Sequence, residues 1–398
     1  MHDPVFYGKQ TITQTDIDAV VGVLQSDFLT QGPVTQKFEK NIADLVSVPH
    51  AIACANGTAA LHLACLGVDI SDGDEVWVSA VSFVASANCA RFCGATVRFV
   101  DIDPLTCNIN LNHLELMLLQ AKKKNSLPKA IIVVHLGGSS CDMQTLFELC
   151  QPFNIAIIED ACHALGGTYQ NLPVGHSQYS QCCVFSFHPV KSITTAEGGM
   201  VVTRDPKIAE RIRCLASHGI TKNKNDWLTP SLEPWHYEQQ QLGYNYRLSD
   251  IQAGLGCSQL KKLDQFLTQR RHIAENYRQA FAECLSMQSI PEQVSSAYHL
   301  AIIICQDAEQ RLKIYQTLAK QHIFCQFHYI PIYRHPYYKD LVGDIARFYP
   351  GAEYYYQRAL SLPIYPTLAD DVQQYIIQQI LSVLNEHCQV SIYNASAH

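Results

Sequence analysis

No stretch of this chain approaches the roughly 18 consecutive apolar residues of a membrane-crossing helix. No Cys-x-x-Cys pair occurs either, although the 398 residues include 16 cysteines. Cys89 and Cys93 lie four apart and Cys182 and Cys183 are adjacent, which makes no metal framework. No metal site is expected. An excess of one charge is also missing: 29 basic against 36 acidic residues gives a net charge of −7 and a pI near 6.2. That balance favours neither nucleic acid nor an anionic membrane as partner. The opening Met1-His-Asp-Pro-Val-Phe-Tyr7 lacks the basic start and apolar region of a secretory signal. A cytoplasmic location with buried free thiols is the expectation. Internal repeats and low-complexity runs are absent. A chain of this length buries a large core and divides into two domains, expected here as residues 1–255 and 256–398.

What is present is a regular alternation. Apolar strand runs recur over residues 51–55, 75–81, 96–103, 129–135 and 155–160, each followed by a turn and a helical pattern. That order is the signature of an α/β fold, a mostly parallel sheet covered on both faces. Earlier helices are expected from about Thr15, with a Thr cap, and over residues 34–46. Later ones are expected over residues 206–217 and, as one long bent helix, over residues 248–284. A smaller C-terminal α+β domain should hold strands over residues 299–305 and 324–329 and helices over 307–320 and 369–385, with a frayed tail after Gln389. Residues 221–242 show no period and carry two prolines and two tryptophans, a loop long enough to act as a lid.

Ligands of such sheets sit at the carboxyl ends of the strands. Asp160, Gly57 and Phe83 fall there, Phe83 with a plain core phenylalanine as the alternative, and Lys191 stands out by its own surroundings. Asn56-Gly57-Thr58 joins a strand to a helix start, where free N–H groups and the helix dipole make an anion site; a plain N-cap is the alternative. Asp160 ends the strand Ile155-Ala-Ile-Ile-Glu-Asp160. A buried carboxylate there needs a partner, and a protonated pyridine nitrogen would be one; a turn-capping aspartate is the bland reading. Lys191 lies in a turn between two apolar runs, and between His176 and Thr203 the only charged residues are Lys191 and Glu197. A lysine in such surroundings is pushed toward the free amine, which attacks carbonyls. A solvated loop lysine is the competing view.

The stretch Ser186-Phe-His-Pro-Val-Lys-Ser-Ile-Thr-Thr-Ala-Glu-Gly-Gly199 resembles the lysine motif of the DegT/DnrJ/EryC1 family of sugar aminotransferases, closest to its pseudaminic acid branch. The resemblance runs from Tyr7 to about Pro366. It implies a fold type I enzyme with pyridoxal 5'-phosphate (PLP) as cofactor. It implies a substrate that is a nucleotide-linked 4-keto-6-deoxy sugar, with glutamate as amino donor. It also implies a homodimer with shared active sites. By the same resemblance Lys191 is the catalytic lysine and Asp160 faces the cofactor ring nitrogen. Phe83 stacks on the ring and His163 lies near its O3′ oxygen. Gly57, Thr58, Ser186 and the neighbouring subunit's copy of Asn245 grip phosphate. Asn245 belongs to Gly243-Tyr-Asn-Tyr-Arg247, which is similar to a family motif. Tyr7, Phe28, Leu29 and Thr30 would lie against the sugar nucleotide, and His328, Tyr329 and Tyr333 would line the sugar site. A related enzyme acting on a GDP-sugar or a D-configured UDP-sugar, and a non-catalytic binding protein of the same fold, stay open as alternatives.

Overall fold

A computed structural model describes residues 3–395, with side chains up to residue 385. Its centre is a seven-stranded sheet of β1 (His50–Cys54), β2 (Glu75–Ser79), β3 (Thr96–Val100), β4 (Ala130–Val134), β5 (Ala156–Asp160), β6 (Cys182–Ser186) and β7 (Gly199–Thr203). Their spatial order is β1-β7-β6-β5-β4-β2-β3. Strand β7 is antiparallel to both neighbours, and the other four pairs are parallel.

The inner strands read as near-continuous apolar runs because both faces are covered, whereas β3 at the edge exposes Thr96 and Arg98. In β4, Ile131 and Val133 pack with the helices Leu111–Lys123 and Met143–Cys150 on one face. Ala130, Ile132 and Val134 pack on the other face, with the helices Gly57–Gly67, Ala85–Phe92 and Pro206–Leu215. A period of two thus sends successive side chains of one strand into two different cores. Beneath β6 and β7, Phe185, Phe187, Met200 and Val202 form a further core with Phe38 and Ile42 of the helix Pro33–Val46.

The smaller lobe holds a three-stranded antiparallel sheet of Ser286–Met287, Ala301–Ile304 and Ala359–Leu362, packed on Ala308–Lys320 and Asp370–Ala395. Its core joins Ile303, Ile314, Leu318 and Ile376 with Val5 from the far end of the chain.

Several local expectations are corrected. The first helix is Gln14–Leu24, and its cap is Thr13, whose side chain and backbone N–H form a capping box with Asp16. The expected single helix over 248–284 is two, Asp250–Leu260 and Leu263–Phe281. They part where Gln259 and Lys262 both reach back to the buried Asp16 Oδ2, at 3.0 and 2.5 Å. The second of these helices is shared: Leu263 and Leu267 enter the sheet's core, while Ile273, Tyr277 and Phe281 enter the small lobe's. The strand expected over 324–329 is only Ile323–Phe324, paired with Val5–Phe6, and beyond it Gln326 makes a single bridge to Ser361. The last helix continues to Ala395 rather than loosening after Gln389, and residues 396–398 lie outside the described ones. The long loop carries one short antiparallel pair, Ile220–Thr221 with Glu238–Gln239, and exposes Leu232, Trp235 and Leu242. No helix among the described residues is long and apolar enough to cross a membrane.

Candidate active site

A cavity of about 760 Å³ opens at the carboxyl ends of β1, β4, β5 and β6. After β1 the helix Gly57–Gly67 begins, capped by Asn56, whose side chain takes the Ala59 N–H at 2.8 Å. The remaining N–H groups of its first turn, near Gly57 and Thr58, face the cavity. Gly57 is required by packing: a Cβ there would stand 2.9 Å from Ser186 Cβ. Ser186 ends β6 and lines the same wall.

Asp160 ends β5 between Val134 and Val184 of the neighbouring strands and is 5% exposed. Its Oδ2 accepts from Ser86 Oγ at 2.6 Å and its Oδ1 from the Cys162 N–H at 3.2 Å. Ser86 is fixed in turn by Ser82 Oγ, also at 2.6 Å. A buried carboxyl that lines the cavity and accepts only from neutral donors is a fitting partner for a cationic ligand.

Lys191 lies on the turn between β6 and β7. Its N–H reaches the His188 carbonyl at 2.9 Å, and the Thr195 N–H closes on the Phe187 carbonyl at 3.0 Å. Phe187 anchors this turn edge-on against Phe38, with ring centroids 5.0 Å apart. The side chain lines the cavity, and burial holds the Lys191 amine below the ordinary lysine value, while Cys162 and Asp160 act in the opposite direction.

Three buried imidazoles surround this amine. His163 is held well below the usual histidine value by burial, then by Lys191 and His328. His299 is lowered well below it by burial, then by His163 and Lys191. His328 is pushed down to about 3 by burial and then by Lys191. All three are neutral at ordinary pH. Rings of His163 and His299 lie 4.3 Å apart, and His328 sits 4.7 Å from Tyr7.

The fold therefore gathers Gly57, Thr58, Phe83, Asp160, His163, Ser186 and Lys191 in one cavity, with Tyr7, His328 and Tyr329 on its outer wall. The Phe83 ring is half exposed, 6.0 Å from Tyr329. It does not bring in the rest. Phe28, Leu29 and Thr30 lie exposed outside the cavity, Thr30 bridging to Ser249. Tyr333 is 2% exposed in the core, stacked on Tyr349 and donating to Glu353 Oε1 at 2.8 Å. Asn245 is exposed and does not line its own chain's cavity. His299, Cys162, Ser86 and Tyr246 went unread in the sequence. His299 stands just before a small-lobe strand, and no local pattern signals that it will meet His163. Among the described residues no cluster of His, Cys, Asp or Glu could hold a metal ion.

A lowered amine, a buried carboxylate and a glycine turn at a helix N-terminus, converging at the carboxyl edge of this sheet, define a lysine-dependent α/β site for a phosphorylated cationic ring. The chain belongs to the DegT/DnrJ/EryC1/StrS aminotransferase family, whose profile matches residues 10–381. It is 35% identical, over 96% of this chain and 98% of the other, to the UDP-4-amino-4,6-dideoxy-N-acetyl-beta-L-altrosamine transaminase of Campylobacter jejuni subsp. jejuni. Its fold matches Helicobacter pylori PseC, an aminotransferase involved in the biosynthesis of pseudoaminic acid, with a TM-score of 0.88 and 31% identity, covering 96% of this chain and 100% of that one. It also matches Streptococcus pneumoniae Spr1654, solved in its PLP form, with a TM-score of 0.86 and 30% identity over 96% and 99% of the two chains. The protein is a sugar aminotransferase of that family, and its cofactor is PLP. The residues present fit this group: Gly57 keeps the phosphate turn open against Ser186, Asp160 offers an anion to the ring nitrogen, and Lys191 offers an amine.

Proposed function

We propose that this chain moves an amino group from L-glutamate to the C4 keto carbon of UDP-2-acetamido-2,6-dideoxy-β-L-arabino-hexos-4-ulose. The products are 2-oxoglutarate and the UDP-linked 4-amino sugar, a precursor for pseudaminic acid-type glycans. The enzyme works in the cytoplasm as a homodimer. The observation that carries the chemistry is the convergence of Lys191 and Asp160 in one 760 Å³ cavity. The Campylobacter relative supports the choice of sugar.

PLP, when bound, supplies an electron sink for the carbanion formed as the amino group is transferred. The rest of the work belongs to the chain. Lys191 Nζ, released as a free amine, takes the proton from the amino-bearing carbon of the donor and later returns one to C4 of the sugar. Asp160, fixed by Ser86 and the Cys162 N–H, keeps the ring nitrogen protonated. The first turn of Gly57–Gly67 and Ser186 hold the phosphate, joined by Asn245 of the neighbouring subunit. Phe83 covers one ring face. Tyr7, His328 and Tyr329 contact the sugar. Phe28, Leu29 and Thr30 are assigned to the substrate on resemblance only.

The test is a panel of keto sugars with glutamate as donor, read by product mass. The L-configured UDP-sugar should be turned over fastest. Preference for a GDP-sugar or a D-configured UDP-sugar overturns the substrate assignment and leaves the aminotransferase class standing. No turnover on any keto sugar, with PLP bound, overturns the reading of function.

A further inference from the structure

The hydrogen bonds around His163 have a fixed direction, and that direction ends in the cavity. The turn after β4 places the Gly137 N–H 3.3 Å from His163 Nδ1. A backbone N–H only donates, so Nδ1 is the bare, accepting nitrogen. Gly137 holds this pose at φ +70°, and a side chain there would meet Gln288 Oε1 at 2.3 Å. The turn is thus clamped on both sides. His163 is buried against His299, their ring centroids 4.3 Å apart, and burial, then the Lys191 amine and His328, keep the ring neutral. A neutral ring bare at Nδ1 carries its proton on Nε2.

His163 Nε2 lies 3.2 Å from Tyr329 Oη, so the imidazole donates and the phenol oxygen accepts. The phenol's own hydrogen must then go elsewhere. Among the described residues no other group pairs with that hydroxyl, and Tyr329 lines the cavity. Burial, then Tyr7, Asp160 and Cys162, raise its pKa, so it stays protonated.

Building on the aminotransferase reading above, we propose that Tyr329 is a hydrogen-bond donor to an acceptor-only oxygen of the bound ligand, and that Gly137 and His163 are positioning residues that impose this polarity. The oxygen is either the keto oxygen of the sugar or the ring oxygen of PLP. Either one gains negative character that a donor in a water-poor pocket stabilises.

Tyr329→Phe tells the two apart. If the acceptor is the sugar, PLP affinity of the cofactor-free protein and the half-reaction with glutamate stay within about twofold. The half-reaction with keto sugar then slows at least about tenfold, as expected for a lost donor. If the acceptor is PLP, its affinity falls and both half-reactions slow. Loss in neither assay overturns the proposal. His163→Leu should copy Tyr329→Phe, and the double variant should be no worse than either alone. His163→Gln should recover most of the loss, because its amide can accept from Gly137 and donate to Tyr329. Wild-type behaviour of His163→Leu overturns the positioning role. Imidazole ¹⁵N resonances of the cofactor-free protein give a readout free of activity: His163 should be protonated at Nε2, and protonation at Nδ1 overturns the relay. Absence of any keto-sugar turnover in the wild type would instead overturn the functional reading and leave the resonance test intact.

Discussion

Acid should unfold this protein partly through His328, and the size of the effect follows from its surroundings. The ring is 4% exposed, pairs through Nδ1 with Ser361 Oγ at 2.9 Å, and is pushed down to about 3 by burial and then by Lys191. In the unfolded chain a histidine titrates near 6.5. The folded value is the lower one, so the unfolded state binds the extra proton. The stability contribution is complete above about pH 6.5 and is lost as the pH falls toward the folded value. Between pH 7 and pH 5 this single residue removes about 2 kcal/mol, using about 1.36 kcal/mol per pH unit once the unfolded ring is charged. His163 and His299 shift in the same direction and add to the acid sensitivity. A difference measurement cancels the groups that titrate alike in both proteins, leaving His328 and its smaller coupling to His163 and His299. Urea unfolding of cofactor-stripped wild type and His328→Gln, at pH 7 and pH 5, gives two gaps in stability. The gap should move by about 2 kcal/mol in favour of the variant at pH 5. A gap constant to within about 0.5 kcal/mol, near the extrapolation error, would refute the claim that this ring is held neutral.

Three further outcomes are expected. Lys191→Ala should abolish turnover, and borohydride should no longer fix PLP to the chain; turnover within about tenfold of wild type removes Lys191 from its role. Asp160→Asn should lower kcat by roughly a hundredfold with a smaller change in KM, and a change in KM alone would make Asp160 a turn residue. Equal mixing of Lys191→Ala and Asn245→Ala subunits, with exchange confirmed by mass and Asn245→Ala impaired by itself, should restore about a quarter of wild-type sites, because half the dimers are mixed and each of those holds one intact site. No recovery places Asn245 in its own subunit's site.

Which features could be read from the chain alone follows from how far apart their causes lie. The inner strands of the central sheet were legible because they are covered on both faces, so local composition alone marks Ile131, Ile132 and Val133 as interior. Lys191 stood out because Glu197 is the only other charged residue between His176 and Thr203, and burial is what lowers its amine. Other features have no local cause. Helix 248–284 breaks at Lys262 because Asp16, 246 residues earlier, captures that lysine. Tyr333 belongs to an aromatic run that reads like a site wall, yet Phe99, Tyr349 and Glu353 draw it into the core. The same holds for the groups that set the cavity's chemistry. Ser86 reaches Asp160 across 74 residues, and Tyr329 reaches His163 across 166. A periodicity or a motif reports which residues face inward, but the polarity of a hydrogen-bond chain depends on what meets its far end. Gly137 shows this: the group it sets against His163 is a backbone N–H, invisible in the side-chain sequence, yet that N–H decides which nitrogen of His163 is bare and so which end of the His163–Tyr329 pair donates.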